Sequence, residues 1–502
     1  MNRLASFLPL TALTLLAALA AACSDDSSDA SFAPASSFND APGSGDGSTS
    51  TAAPGDDATV PELPEAPDPD EEVEEPTCDD AAPVRLFISP DDSNSMASPV
   101  LVRGAIEQRG GPSGPIRPWE FFNYATFDYP AAAPGGVTLT SEMVAGDPGR
   151  YTLQIGVASE VVTAAARAPM NLTFVLDTSG SMGGTPIELL RSVARRIVSQ
   201  LRAGDIVSMV RWDTTQSVLV RSRTVAGPND ASLLAAIDEI SASGGTDLNA
   251  GLVAGYELAE EAFSTSRTNR ILLVSDGGAN AGVTDIDLIA EKAGNQGEDG
   301  IYMVGVGVGD KGIYNDTLMN EVTDAGKGAA VFIDSEGEAE KMFATNFVNT
   351  MSIAVRDVQV QLDLPPGFEI VRFSGEEFST DPEEIEPQHL APNDAMVFHQ
   401  ELETCAPELI DATTEIGVTV RYKDAITFES REVSETYRLT ELVGAASPNL
   451  LEGAALMRFT EYLTERSTAA RSAVEAALAA AQEANPNDPD LAEIERLLGL
   501  MN

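Results

Sequence analysis

Over the middle of this 502-residue chain, continuous apolar runs alternate with stretches in which apolar residues recur every three to four positions. The runs at 172–176, 206–212, 271–274, 301–307 and 329–334 predict strands buried on both faces, with a shorter strand at 217–221. The helical spacing falls at 187–201, 233–240, 248–261 and 318–323. Strand and helix in alternation predict an α/β unit, a doubly wound and mostly parallel sheet covered on both faces. On either side the period shortens to two, predicting strands at 84–89, 137–140 and 151–157 upstream and at 355–364, 416–422 and 436–439 downstream. The two arms are expected to form one β-sandwich into which the α/β domain is inserted, with the aromatic segment Trp119 to Tyr129 in its core. After Glu441 the chain turns Ala-, Leu- and Glu-rich and predicts a helical tail, 450–465, 469–484 and 491–498, broken by Asn485-Pro486.

The first 23 residues follow another pattern: Arg3, an apolar core from Leu4 to Leu19, then Ala20-Ala21-Ala22 before Cys23. This has the form of a secretory signal, too short and too poorly flanked to span a membrane as a helix. A Cys directly after the small residues resembles the bacterial lipobox, which implies lipidation of Cys23 and cleavage before it. By analogy with enterobacterial sorting rules, Ser24 implies the outer membrane. From 24 to 80 the chain is dominated by Ser, Ala, Pro, Gly, Asp and Glu and has no Lys or Arg, so it lacks the apolar surface to fold and is expected to be a disordered acidic tether.

Acidity extends well beyond the tether, since 79 Asp and Glu face 30 Lys and Arg for a net charge of −49. Such a field repels nucleic acid and anionic lipid and raises the local cation concentration. Membrane association is therefore expected through the lipid anchor alone.

Candidate chemistry begins where the first central strand ends, at Asp177-Thr178-Ser179-Gly180-Ser181-Met182. Ligands in open α/β sheets bind outside the carboxyl ends of strands, and an Asp with two hydroxyls on a glycine-bent loop offers hard oxygens to a hard cation. Gly244-Gly245-Thr246-Asp247, opening a helix, and Val274-Ser275-Asp276-Gly277, ending a strand, add further oxygens. A second copy of the pattern, Asp91 to Ser95, has no such sequel and reads as a turn. The G-x-G-x-x-G at Gly307 to Gly312 follows a late strand, carries Asp310 where pyrophosphate would approach, and reads as tight-turn glycines.

These three motifs in this order resemble the von Willebrand factor A family. The resemblance covers about 169–351 and implies a metal-ion-dependent adhesion site. It implies that Ser179, Ser181 and Thr246 bind the ion directly, while Asp177 and Asp276 reach it through water. Asp247, beside the threonine, departs from the usual pattern. Neutral hydroxyl ligands leave the cation positive charge to offer, so Mg²⁺ is expected, with Ca²⁺ or Mn²⁺ as alternatives, and a carboxylate on a protein or surface ligand would complete its shell. The run Arg117 to Tyr124, the segment Tyr314 to Met319 and the segment Glu386 to Asp394 further resemble a bacterial subfamily of lipoproteins that carry this domain.

Six segments are expected: signal and lipidated Cys at 1–23, linker at 24–80, β-rich region at 81–168, von Willebrand A domain at 169–351, second β-rich region at 352–440, helical tail at 441–502. Two histidines, His389 and His399, lie outside the α/β domain, and the chain has no Cys-x-x-Cys, nucleophile elbow or P-loop, so enzymatic activity is not expected. The remaining cysteines, Cys78 and Cys405, are candidates for a disulfide in an oxidising compartment. The expected function is metal-dependent capture of an acidic partner at the cell envelope. The alternative is an assembly scaffold on which the metal site is not essential.

Overall fold

The computed structural model describes residues 82–91, 94–109, 111, 116–277, 300–309 and 314–501, all within one compact unit, Glu74–Asn502. Cys23, Cys78, the expected tether and the Asp310 to Gly312 half of the glycine motif lie outside the described residues.

Among the described residues, three sheets organise the fold. The upstream arm supplies β1 (Val84–Ser89), β2 (Thr138–Ala145) and β3 (Arg150–Ala158), with helices α1 (Ala97–Arg109) and α2 (Pro118–Tyr124) between β1 and β2. The α/β region then runs β4 (Met170–Asp177), α3 (Thr185–Gln200), β5 (Ile206–Trp212), β6 (Gln216–Thr224), α4 (Ala231–Asp238), α5 (Leu248–Glu261), β7 (Thr268–Ser275), β8 (Tyr302–Val308), α6 (Asp316–Ala325), β9 (Ala329–Ile333), α7 (Glu336–Glu340) and α8 (Phe347–Met351). Downstream come β10 (Val355–Leu364), β11 (Phe368–Phe373), β12 (Glu377–Ser379), β13 (Gln388–Leu390), β14 (Ala395–Thr404), β15 (Glu415–Asp424) and β16 (Ser430–Arg438). Four helices close the chain: α9 (Leu439–Leu442), α10 (Pro448–Glu465), α11 (Thr468–Ala484) and α12 (Pro489–Leu500).

The central sheet has the order β6-β5-β4-β7-β8-β9, parallel except for the β5–β6 hairpin. Every residue of β4 is buried, as a strand covered on both faces requires. One face packs on α3 through Leu190, Val193 and Ile197, the other on α5 through Leu252 and Tyr256. Helix α5 approaches the sheet so closely that a Cβ on Gly255 would lie 2.4 Å from Val175 Cγ2, and one on Gly251 2.5 Å from the Trp212 ring.

The arms do share a sandwich. β1 pairs antiparallel with β10 and β3 with β14, so each sheet is built from both sides of the insertion. One sheet follows β12-β1-β10-β15-β16 with β13 against β10, the other β11-β14-β3-β2, and Ile88, Val360 and Val418 meet Leu153, Ile155 and Phe398 in a common core.

The aromatic segment does not lie in that core. Trp119 to Tyr124 is helical within α2, and Phe121, Phe122 and Tyr129 pack with Phe459, Leu463 and Leu478 of the terminal helices on the outer face of the β11-β14-β3-β2 sheet. Pro118 at the start of α2 favours helix rather than strand there. Strand β14 escaped the alternation rule because it buries His399 and Gln400. His399 Nδ1 lies 2.7 Å from Gln154 Oε1 of β3, a polar pair beneath α10. Helix α1, whose sequence contains Pro99 and Gly104, is held by packing against β9 and by Arg103, which forms ion pairs with Asp334 (3.0 Å) and Glu338 (2.9 Å). The Asp91 to Ser95 segment leads into that helix: Asp91 accepts from Ser95 N at 2.6 Å and from Asn123 Nδ2 at 2.8 Å, a structural use of its carboxylate.

Candidate metal centre

The carboxyl ends of β4, β5 and β7 gather the predicted oxygens at one edge of the sheet. Asp177, the last residue of β4, is fully buried; its Oδ1 accepts from Ser179 N (2.8 Å) and its Oδ2 from Ser275 Oγ (2.6 Å). Ser179 Oγ stands 3.0 Å from Ser181 Oγ, and Ser181 Oγ donates to Asp276 Oδ1 at 3.2 Å. Four of the five predicted residues are thus joined in one hydrogen-bonded chain, Asp177 through the backbone N–H of Ser179 and the rest through the two serine hydroxyls to Asp276.

The loop that carries Thr246 is tied to the same edge by its neighbours. Ser243 N donates to Thr178 O at 2.7 Å and Gly180 N to Gly244 O at 3.2 Å, stitching the loop before α5 to the loop after β4. The β5–β6 turn completes the rim: Thr214 Oγ1 accepts from Gly245 N at 2.7 Å, and Asp247 N donates to Asp213 O at 2.8 Å. Gly244 sits at φ +79° with Thr214 and Asp213 packed where a Cβ would be, so this turn needs glycine. Asp247, the unusual neighbour of the threonine, caps α5 by accepting from Ala250 N at 3.0 Å. Its carboxylate is therefore engaged by the helix terminus.

Burial pushes the Asp177 carboxyl up to about 6, against hydrogen bonds from Ser275 and Ser179 that lower it and with the nearby Asp276 charge adding to the rise. A buried carboxylate beside a second one is stabilised by a cation between them. The donor set is all oxygen, with hydroxyls and carboxylates and no sulfur or imidazole, which fits Mg²⁺ or another hard divalent ion.

Ser275 was not singled out by sequence reasoning, yet it orients Asp177 and also accepts from Gly277 N at 3.0 Å. The signal was available in its place one residue before Asp276. Of the glycine motif, Gly307 and Gly309 serve packing: a Cβ on Gly307 would lie 2.3 Å from Tyr314 Cε2, and Gly309 adopts φ +118° against Pro186.

Residues 171–348 match the family model of the von Willebrand factor type A domain, in keeping with the mostly parallel sheet and its covering helices. An uncharacterised protein of Escherichia coli (strain K12), YfbK, is 28% identical over 268 residues, covering 51% of this chain and 46% of its own. The heavy chain H2 of the pig inter-alpha-trypsin inhibitor is 26% identical over 200 residues, covering 38% of this chain and 21% of its own. Among solved structures, a von Willebrand factor type A protein from Catenulispora acidiphila is 16% identical, covers 74% of this chain and 91% of its own, and superposes with a TM-score of 0.46. The chain spans about half the length of the first curated relatives it matches. Domains of this family often mediate protein–protein interaction and commonly hold divalent cations. No helix among the described residues is long and apolar enough to cross a membrane.

Proposed function

We propose that this protein is an envelope-anchored binding protein whose edge site, Asp177, Ser179, Ser181, Thr246 and Asp276, holds a divalent cation and captures an acidic group on a protein partner or surface ligand. The observation that carries the reading is the hydrogen-bonded chain from Asp177 through Ser179 and Ser181 to Asp276. When bound, the cation would supply an electrophilic point for a partner's carboxylate. Asp177 and Asp276 offset its charge, while the serine and threonine hydroxyls offer it neutral oxygens. Mg²⁺ suits the site because it retains water and needs few protein ligands. The same reading places Cys23 as the lipidated residue of an outer-membrane lipoprotein, with the acidic segment 24–80 as its tether.

Capture from the native envelope, run with Mg²⁺ and again with chelator, tests the site. Partner recovery should fall at least tenfold with chelator and in Asp177→Ala or Thr246→Ala, while circular dichroism stays native. Recovery that survives both chelator and Asp177→Ala at unchanged affinity would favour the scaffold reading. Intact-mass measurement of membrane material should find lipid on Cys23; a soluble mature chain with a free Cys23 thiol would remove the anchor from the reading.

A further inference from the structure

A second site lies at the opposite end of the central sheet, where the α/β domain meets the sandwich. Arg270, near the start of β7, is 4% exposed, yet no carboxylate among the described residues pairs with it. Its Nε donates to Met351 O at 3.2 Å and its guanidinium lies 5.7 Å from the Tyr302 ring centroid. Its Nη1 is buried and has no hydrogen-bond partner among the described residues. A buried guanidinium without a counter-charge is costly, and proteins normally pair it.

Two further donors are in the same condition and border the same cavity of about 60 Å³. These are Ser352 Oγ and His389 Nε2, both buried and without a partner among the described residues. His389 Nδ1 accepts from Asp357 N at 3.4 Å, so in the neutral ring the proton sits on Nε2 and makes it a donor. Burial and the neighbouring Arg356 charge push this imidazole down to about 3, keeping it neutral at physiological pH. The exposed Lys327 brings a second positive charge to the cavity wall. One carboxyl, Asp394, also borders it; Asp394 is occupied by Ala395 N at 2.9 Å and by the Asn349 side chain, and burial raises it toward neutrality.

We propose that this cavity binds a small tetrahedral oxyanion, inorganic phosphate or sulfate, on Arg270, Lys327, Ser352 and His389. The cavity is several times larger than the roughly 10–15 Å³ one water needs, and an oxyanion supplies acceptors for every orphaned donor together with the missing counter-charge. In a chain of net charge −49, a pocket in which donors and positive charge outnumber carboxylates is a local reversal that long-range repulsion does not explain. Its walls come from the α/β domain through Arg270 and Lys327 and from the downstream arm through His389. A bound oxyanion therefore fastens the two against each other.

The test uses the full chain at low ionic strength with chelator present, so that the edge site cannot take up the anion through a metal. Phosphate and sulfate are titrated separately by calorimetry and by thermal denaturation, with chloride at matched ionic strength as reference. A saturable heat and a rising melting midpoint with either oxyanion, absent with chloride, are expected. Lys327→Ala and Ser352→Ala should each weaken binding about tenfold, and Arg270→Gln should abolish it. Should Arg270→Gln fail to fold, the other two variants decide, since one is exposed and the other removes a single hydroxyl. Oxyanions that act no differently from chloride, an affinity unchanged in both Lys327→Ala and Ser352→Ala, or a crystal soaked in phosphate that shows only ordered waters would overturn the proposal.

Discussion

Glu452 is the residue at which charge and burial conflict most plainly. It lies on α10, 2% exposed, with an unpartnered buried Oε1 and with Asp488 and Asp490 close enough that one oxygen from each of the three lies within 4.8 Å of the others. Burial, then the Asp488 and Asp490 charges, push its carboxyl up to about 9. Because the folded state holds this proton more tightly than the unfolded chain, its contribution is fullest below about 4.5 and is lost as pH rises through the interval to about 9. Glu452→Gln should flatten that slope and stabilise the protein at pH 8 by about 1–3 kcal/mol. Denaturant titrations at pH 5 and pH 8 check it; a variant whose stability falls with pH as steeply as the parent's would contradict the assignment. Nothing in the local sequence marks Glu452, because its partners lie more than a full helix away. Asp177, Ser179 and Ser181 were legible as a group for the opposite reason: they lie within five residues of one another, and the loops at Gly244 and Asp276 that follow set them apart from the same spacing at Asp91 to Ser95.

At the scale of elements, the terminal helices are set by one close approach. Gly453 of α10 lies over the Gln154–His399 pair, and a Cβ there would stand 2.1 Å from Gln154 Oε1 and 2.9 Å from His399 Nδ1. Alanine improves helix propensity by up to about 1 kcal/mol, but overpacking a buried polar contact costs about 1–3 kcal/mol and displaces the pair. Gly453→Ala is therefore expected to lower stability, read as a reduced denaturation midpoint with helical circular dichroism retained; a gain in stability would refute the contact. Periodicity located α3, α5, β4, β5 and β10 because each carries a predominantly apolar run or face. It misplaced the segment from Trp119 to Tyr129, since an aromatic run fits either a sandwich interior or the underside of helices. Only the packing of Phe121 on Phe459, with ring centroids 6.0 Å apart at 77°, separates the two.

For the whole molecule, the insertion raises the question of what joins the start of the body to its end. Cys405, just after β14, is in a disulfide whose other half lies outside the described residues. Pairing with Cys78 would close a loop around the entire α/β domain and stabilise by up to about 5 kcal/mol on the chain-entropy view. Non-reducing peptide mapping of freshly isolated protein should recover the Cys78 and Cys405 peptides linked; alkylatable thiols at both positions would rule the bridge out. The order of apolar runs and oxygen-bearing loops by itself determined the parallel sheet and the meeting of Asp177, Ser179, Ser181 and Asp276 at its carboxyl edge, because both are written in short-range spacing around strand ends. Tertiary structure alone decided that β1 lies beside β10, that the aromatic segment sits under the terminal helices, and that Arg270, Ser352 and His389 border one cavity. Those groups are brought together by chain reversals across an inserted domain, and no local periodicity encodes a meeting between residues so far apart.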